Sequence, residues 1–225
     1  MGAECGVTTS LFPSDEITYS FLKGQGREEN WVALEADEDA VYDDRFEIDL
    51  SSLEPLAACP HSPGNIKSVE SLKGMKINQV LIGSCTNSSY YDLRKVAKIL
   101  EGKRIPENVS LGIAPGSRAV FEMIASDGTL ETLIKAGARI LESACGFCIG
   151  NHQSPGTDSV SLRTNNRNFE GRSGTKSAKV FLVSPETAAW SAVKGEFSNP
   201  MECDSDIDSV KYTDSFIIDD SMFIY

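Results

Sequence analysis

From Gln79 onward the chain repeats one pattern. A short apolar run is followed by a turn of small polar residues, and then by apolar positions three and four apart. Such runs at 80–83, 109–114, 138–141, 160–163 and 180–183 predict buried strands. Between them, Leu93, Val96, Ala97 and Leu100 recur at helical spacing, as do Val120, Phe121 and Ile124. Further helices are expected over 130–136 and 188–193. Asn87 or Ser88, Ser117, and Ser184 followed by Pro185 are the expected caps. Strands alternating with helices predict an α/β fold: a three-layer αβα arrangement with a mostly parallel sheet covered on both faces. Ligands in such folds sit at the carboxyl ends of the strands, and Cys85 and Cys145 both lie just beyond such ends.

The N-terminal part is less regular. A strand is expected over 7–12 and a helix over 17–22, introduced by Pro13-Ser14-Asp15-Glu16 and ended by Gly24 and Gly26. Residues 27–47 are rich in acidic side chains, and Arg45–Leu50 alternates as a half-buried strand would. Pro55, Pro60, Pro63, Gly64 and Gly74 give the next stretch the look of an irregular crossing segment. The expected division is a partial α/β domain over 1–50, a linker over 51–75, the main α/β domain over 76–200 and an acidic linker over 201–225.

Composition narrows the function. The 225 residues carry a net charge of −12, which argues against DNA, other nucleic acids and anionic membrane surfaces as partners. No apolar run approaches the ~20 residues that span a bilayer. The first residues lack a basic stretch followed by an apolar one, so a cytoplasmic location is expected. Under that expectation the six cysteines point to metal or redox chemistry rather than to structural disulfides.

Ala144-Cys145-Gly146-Phe147-Cys148-Ile149-Gly150 places two thiols three residues apart beside small glycines. With Cys85 they could hold a cuboidal iron-sulfur cluster with one iron left open as a Lewis acid. Cys85 is expected at a helix N-terminus, which would stabilise its thiolate. Adding His152 gives a tetrahedral zinc set, and Cys-Gly-Phe-Cys alone is similar to a thiol-disulfide motif. Spacing leaves all three readings open. Asn165-Asn166-Arg167-Asn168-Phe169-Glu170-Gly171-Arg172 is a polar loop with two arginines, suited to a polycarboxylate because guanidinium groups bind carboxylates bidentately. Alone, an arginine pair in such a loop reads more readily as a solvated loop with surface salt bridges. His61, in a Pro-rich stretch, reads as a surface residue.

Taken together, Ile82-Gly83-Ser84-Cys85-Thr86-Asn87-Ser88-Ser89-Tyr90, the Cys145 segment, Asn166–Arg172, Pro115-Gly116-Ser117 and Ser184–Ala188 resemble the aconitase and isopropylmalate dehydratase family, in the same order. Met1–Pro13 resembles that family's segment ahead of the cluster domain. The resemblance implies a 4Fe-4S cluster with one labile, non-thiolate-ligated iron, held by Cys85, Cys145 and Cys148. It implies Asn166 beside the cluster, Arg167 and Arg172 on substrate carboxylates, and Glu4 as an acidic catalytic residue near the open iron. Phe147 departs from the proline usual in many aconitases without removing a ligand. The implied reaction is reversible dehydration of a small tricarboxylate, with citrate and isocitrate favoured and the tricarboxylic acid cycle as its setting. The alternatives are 3-isopropylmalate dehydratase or homoaconitase and, from another class, a non-catalytic iron-sulfur module. The chain resembles an interior piece of such an enzyme, so the partners implied are flanking domains acting in trans.

Overall fold

Seven strands form one sheet in the order β2-β1-β7-β6-β3-β4-β5. They are β1 (Leu56–Ala58), β2 (Ile66–Ser68), β3 (Gln79–Ile82), β4 (Ser110–Ile113), β5 (Arg139–Ile140), β6 (Val160–Arg163) and β7 (Lys179–Leu182). The computed structural model describes residues 6–218. β7, β6, β3, β4 and β5 run parallel, while β1 pairs antiparallel with both β7 and β2. The α/β class with a mostly parallel sheet is as the sequence implies.

The helices of this region are α2 (Val69–Leu72), α3 (Tyr90–Leu100), α4 (Arg118–Ser126), α5 (Thr129–Lys135), α6 (Gly146–Ile149) and α7 (Pro185–Lys194), preceded by α1 (Glu16–Gly24). The strands divide their side chains between two unlike faces, because successive residues point to opposite sides. Val80, Ile82, Leu111, Ile113 and Leu162 join Leu93, Val96, Ile124, Leu133 and Ala188 in the main core, so α3, α4, α5 and α7 share that core. On the other side Leu81 and Ala114 meet only Phe147, with Leu141 against them. Gln79, Ser161 and Arg163 alternate with the core-facing positions and are buried polar residues. That second layer is thin, a four-residue helix and loops where long helices would be the usual cover.

The cap of α3 falls on Ser89, whose hydroxyl accepts from Asp92 N while the Asp92 carboxylate accepts from Ser89 N. The expected caps are used elsewhere: Asn87 Nδ2 donates to Thr164 O at 2.8 Å, and Ser88 Oγ donates to Ser84 O at 2.8 Å. Ser117 and Ser184 cap α4 and α7 as expected, with Pro185 in the first turn of α7.

Contact density divides the chain into one unit up to Leu53 with the stretch from Thr213, and a second unit, Glu54–Tyr212. Residues 51–75, expected as a linker, supply β1, β2 and α2 to the sheet unit. Three-residue strands are too short to show alternation, and the prolines and glycines between them mark a hairpin connection rather than a crossing. Residues 201–212, expected as linker, are also part of that unit: Val210 is buried and Tyr212 stacks on Tyr91 with ring centroids 4.0 Å apart.

In the first unit α1 forms as expected, with the Asp15 carboxylate accepting from Ile17 N and Thr18 N. The strands expected at 7–12 and 45–50 do not form. A strand needs a neighbour for its ladder, and among the described residues of this unit the one pairing is an isolated bridge between Ser14 and Leu34. No residue from Gly6 to Leu53 is buried. Among the described residues no helix is long and apolar enough to cross a membrane.

Candidate active site

From β3 the chain moves outward to β4 and β5, then returns to place β6 on the other side of β3. Strand order therefore reverses between β3 and β6, and in parallel α/β sheets the crevice beyond such a reversal receives ligands. Cys85 follows β3 there, and Asn165, Asn166 and Arg167 follow β6. Backbone and side chain tie the two loops together: Gly83 N donates to Thr164 Oγ1 at 3.0 Å, and Ser84 Oγ donates to Thr164 O at 3.2 Å. Gly83 is needed for this approach. Its φ is +150°, and a Cβ there would stand 2.5 Å from Ala114 O.

The other two thiols follow β5. Cys145 is the N-cap of α6, and Cys148 lies inside that helix. Phe147 anchors the turn by burying its ring on the sheet face at Gly112, where a Cβ would meet Phe147 Cζ at 2.8 Å. Behind the turn, Arg163 Nη1 donates to Phe147 O at 2.6 Å and Arg172 Nε donates to Cys148 O at 2.8 Å. Two guanidinium groups thus hold adjacent carbonyls of the cysteine helix.

Cys85 and Cys145 are exposed, Cys148 is half-buried, and all three are free thiols. Burial pushes the Cys148 thiol up, as does negative charge at Cys145 and Cys85, while Arg172 and Arg163 oppose the shift. The three sulfurs therefore share one electrostatic neighbourhood. Cys85 does not sit at the start of α3 as expected. It lies in the turn upstream of Ser89, its sulfur 3.7 Å from Thr86 Oγ1. Asn166 reaches the same place, donating from Nδ2 to Thr86 Oγ1 at 3.2 Å. Arg172 is half-buried and stacks over Phe169, 5.2 Å from the ring centroid, whereas Arg167 is exposed. Glu4, the expected acidic residue, lies outside the described residues, as do Cys5 and the tail from Asp219.

Among the described residues no three or more His, Cys, Asp or Glu side chains are grouped to hold a metal ion. The four-ligand zinc arrangement is thus not formed. His152 packs against the backbone of Gly146, and its Nε2 is 3.5 Å from Glu142 Oε1. A cuboidal cluster is larger than one ion and takes thiols that stand farther apart. Cys85, beyond β3, and Cys145 and Cys148, beyond β5, are free thiols, and two guanidinium groups hold the backbone of the Cys145–Cys148 turn.

Two residues escaped the sequence reading. Asn168 looked like part of a ligand loop, but it is buried and donates from Nδ2 to Cys59 O at 2.9 Å and Val180 O at 3.0 Å, joining β1 to β7. Arg163 looked like the end of an apolar strand and is fully buried. Alternation with the core positions Val160 and Leu162 could have placed Ser161 and Arg163 on the opposite face. Two surface clefts, of about 480 and 460 Å³, lie around Asp127 and around Glu186. Neither is lined by Cys85, Cys145, Cys148 or the Asn166–Arg172 loop.

The model of the aconitase family (aconitate hydratase) matches residues 1–195. The chain belongs to the aconitase family. Its relatives include a 3-isopropylmalate dehydratase large subunit 2 from Archaeoglobus fulgidus, 42% identical over 203 residues, which are 90% of this chain and 49% of that protein. A 3-isopropylmalate dehydratase large subunit from Elusimicrobium minutum is 43% identical over 203 residues, again 90% and 49%. A large subunit 1 of the same name from Methanopyrus kandleri is 41% identical over 201 residues, 89% and 48%. The chain spans about half the length of the curated relatives it matches.

Proposed function

We propose that this chain is the cluster-holding part of a 3-isopropylmalate dehydratase large subunit, a hydro-lyase acting on a hydroxy-dicarboxylate. What supports the proposal is that Arg172 holds the Cys148 carbonyl and Asn166 holds Thr86 beside the free thiol of Cys85, in a chain whose relatives bear that name. The citrate and isocitrate preference expected from the sequence yields to those names, and the tricarboxylic acid cycle setting loses its support with it.

In this reading Cys85, Cys145 and Cys148 hold a 4Fe-4S cluster. When bound, that group supplies a Lewis-acidic iron that binds a substrate hydroxyl and eases its departure. The chain's own residues bind and orient. Arg172 is fixed through Nε, which turns its two terminal nitrogens into a preset fork for one carboxylate. Arg167, one position beyond Asn166, takes the other carboxylate. Asn166 is held by Thr86 with its buried Oδ1 without a hydrogen-bond partner among the described residues, so it can accept from a substrate hydroxyl. Glu4 remains the proposed acidic residue of the site. The name "large subunit" calls for a smaller partner, and removal of a carbon-bound proton needs a base within ~3 Å. That base is assigned to the partner or to the rest of the large subunit.

Anaerobic reconstitution with iron and sulfide tests the cluster. Broad visible absorption is expected, and its loss in Cys85→Ser, Cys145→Ser and Cys148→Ser. Zinc uptake at one equivalent with no iron uptake would defeat the reading. Reconstituted chain mixed with a separately expressed remainder and small subunit should dehydrate 3-isopropylmalate faster than citrate. The reverse order would restore the aconitate hydratase alternative.

A further inference from the structure

Arg163 is a buried cation on which no carboxylate among the described residues acts. Its side chain is 0% exposed. Each of its three nitrogens donates once: Nε to Ser161 Oγ at 3.1 Å, Nη1 to Phe147 O at 2.6 Å and Nη2 to Gln79 Oε1 at 3.1 Å. Every one of these acceptors is neutral. Ser161 Oγ in turn donates to Gln79 Oε1 at 2.8 Å, and Gln79 Nε2 donates to Ser154 O at 3.0 Å. The network runs from the central strands β6 and β3 into both ends of the loop that carries Cys148.

A buried charge is costly unless something of opposite sign compensates it. Burial lowers the Arg163 pKa to about 10, so the group is still a cation at neutral pH. Among the described residues the charged groups that act on it are Cys148, which favours its charge, and Arg172, which opposes it. No carboxylate is among them. An apolar side chain at this position would pack on Leu81 and Phe147 without any such penalty.

We propose that Arg163 is a positioning residue and a buried counter-charge for the cluster: it locks the Cys145–Cys148 turn through the Phe147 carbonyl and balances the negative charge of the thiolate-ligated group above it. This rests on the cluster reading given above. A thiolate-ligated cluster becomes more negative on reduction, so a fixed cation beneath it favours the reduced state. Arg163 acts through the ligand loop and the field, without touching substrate.

The test uses the full chain, reconstituted anaerobically, as wild type, Arg163→Gln and Arg163→Lys. Gln keeps a donor for the Phe147 carbonyl but removes the charge, and Lys keeps the charge. The readouts are iron and sulfide bound per chain and the midpoint potential of the cluster, followed by electron paramagnetic resonance. The Gln variant should load less cluster or hold it at a more negative potential, and the Lys variant should return both values toward wild type. A Gln variant with wild-type loading and potential overturns the proposal. So does a Lys variant that behaves like Gln, because the charge would then not matter. If Gln fails to fold, a folded Lys variant with wild-type potential supports the proposal and one with a shifted potential overturns it. Failure of both to fold marks a purely structural residue and also overturns it. A wild-type chain that binds no cluster defeats the cluster reading itself and this inference with it, an outcome distinct from a loaded wild type with an indifferent Arg163.

Discussion

At the scale of single residues, the site is held by contacts that face away from it. Phe147 has no polar atom to offer a ligand in its side chain, yet its ring fixes where both neighbouring thiols point. Its burial at Gly112 and the hold of Arg163 on its carbonyl act on one residue. Phe147→Ala should therefore cost about 3–5 kcal/mol of stability, the usual range for emptying a buried aromatic site. Urea unfolding measures this. The same variant should load less cluster although all three cysteines remain, and full loading would show that the turn is held by its backbone alone. The three cysteines, Asn166 and Arg172 could be proposed from sequence because the chemistry proposed for them is carried by residue type and order. Asn168 and Arg163 were not. A buried Asn that bonds carbonyls looks the same in sequence as one that bonds a ligand, and a buried Arg looks like a strand end.

At the scale of elements, the caps separate stability from function. Ser89 and Ser184 each present a hydroxyl to a backbone N–H in the first turn of α3 and α7. Ser89→Ala and Ser184→Ala should each cost about 1 kcal/mol, read as a lower urea midpoint, with cluster loading unchanged. Loss of loading in Ser89→Ala would mean that the start of α3 sets the position of Cys85. The parallel strands were legible as apolar runs between small polar turns, and the longer helices α3, α4 and α7 by apolar positions three and four apart. β1 and β2 were hidden by their brevity, and the hairpin between them carries the residues that elsewhere mark a linker. The cap of α3 was displaced by two residues or fewer, because several adjacent small polar side chains could serve and the loop claims Asn87 and Ser88 for Thr164 and Ser84.

At the scale of the whole molecule, the two units differ in how they are held. Glu54–Tyr212 has a continuous core around the sheet. Residues 6–53 have one helix, two short 3-10 turns and no buried side chain, with Leu11, Ile17, Val32, Val41, Phe46 and Leu50 all exposed. Backbone that lacks buried contacts opens at little cost in free energy. Limited proteolysis of the chain should cut within 6–53 first and leave a resistant product that starts near Glu54. First cuts inside 54–212 would contradict this. The strands expected at 7–12, from its apolar run, and at 45–50, from its alternation, fail for the same reason: among the described residues of this unit no second strand lies alongside to bury them.

The three cysteines come from segments that meet only when β3, β5 and β6 share one sheet. Their assembly therefore has an order in time. On a chain still leaving the ribosome, Cys145 and Cys148 are a local pair that could capture a stray thiophilic ion, while Cys85 waits on a distant stretch. Once the sheet has closed, Phe147 is seated and the turn that carries Cys145 and Cys148 is held. On the cluster proposal, iron and sulfide delivered after closure would meet all three thiols in place, whereas ions that arrive during synthesis would meet only the local pair. On the cluster proposal, the yield of correctly filled molecules would depend on how quickly the sheet closes relative to the first metal encounter.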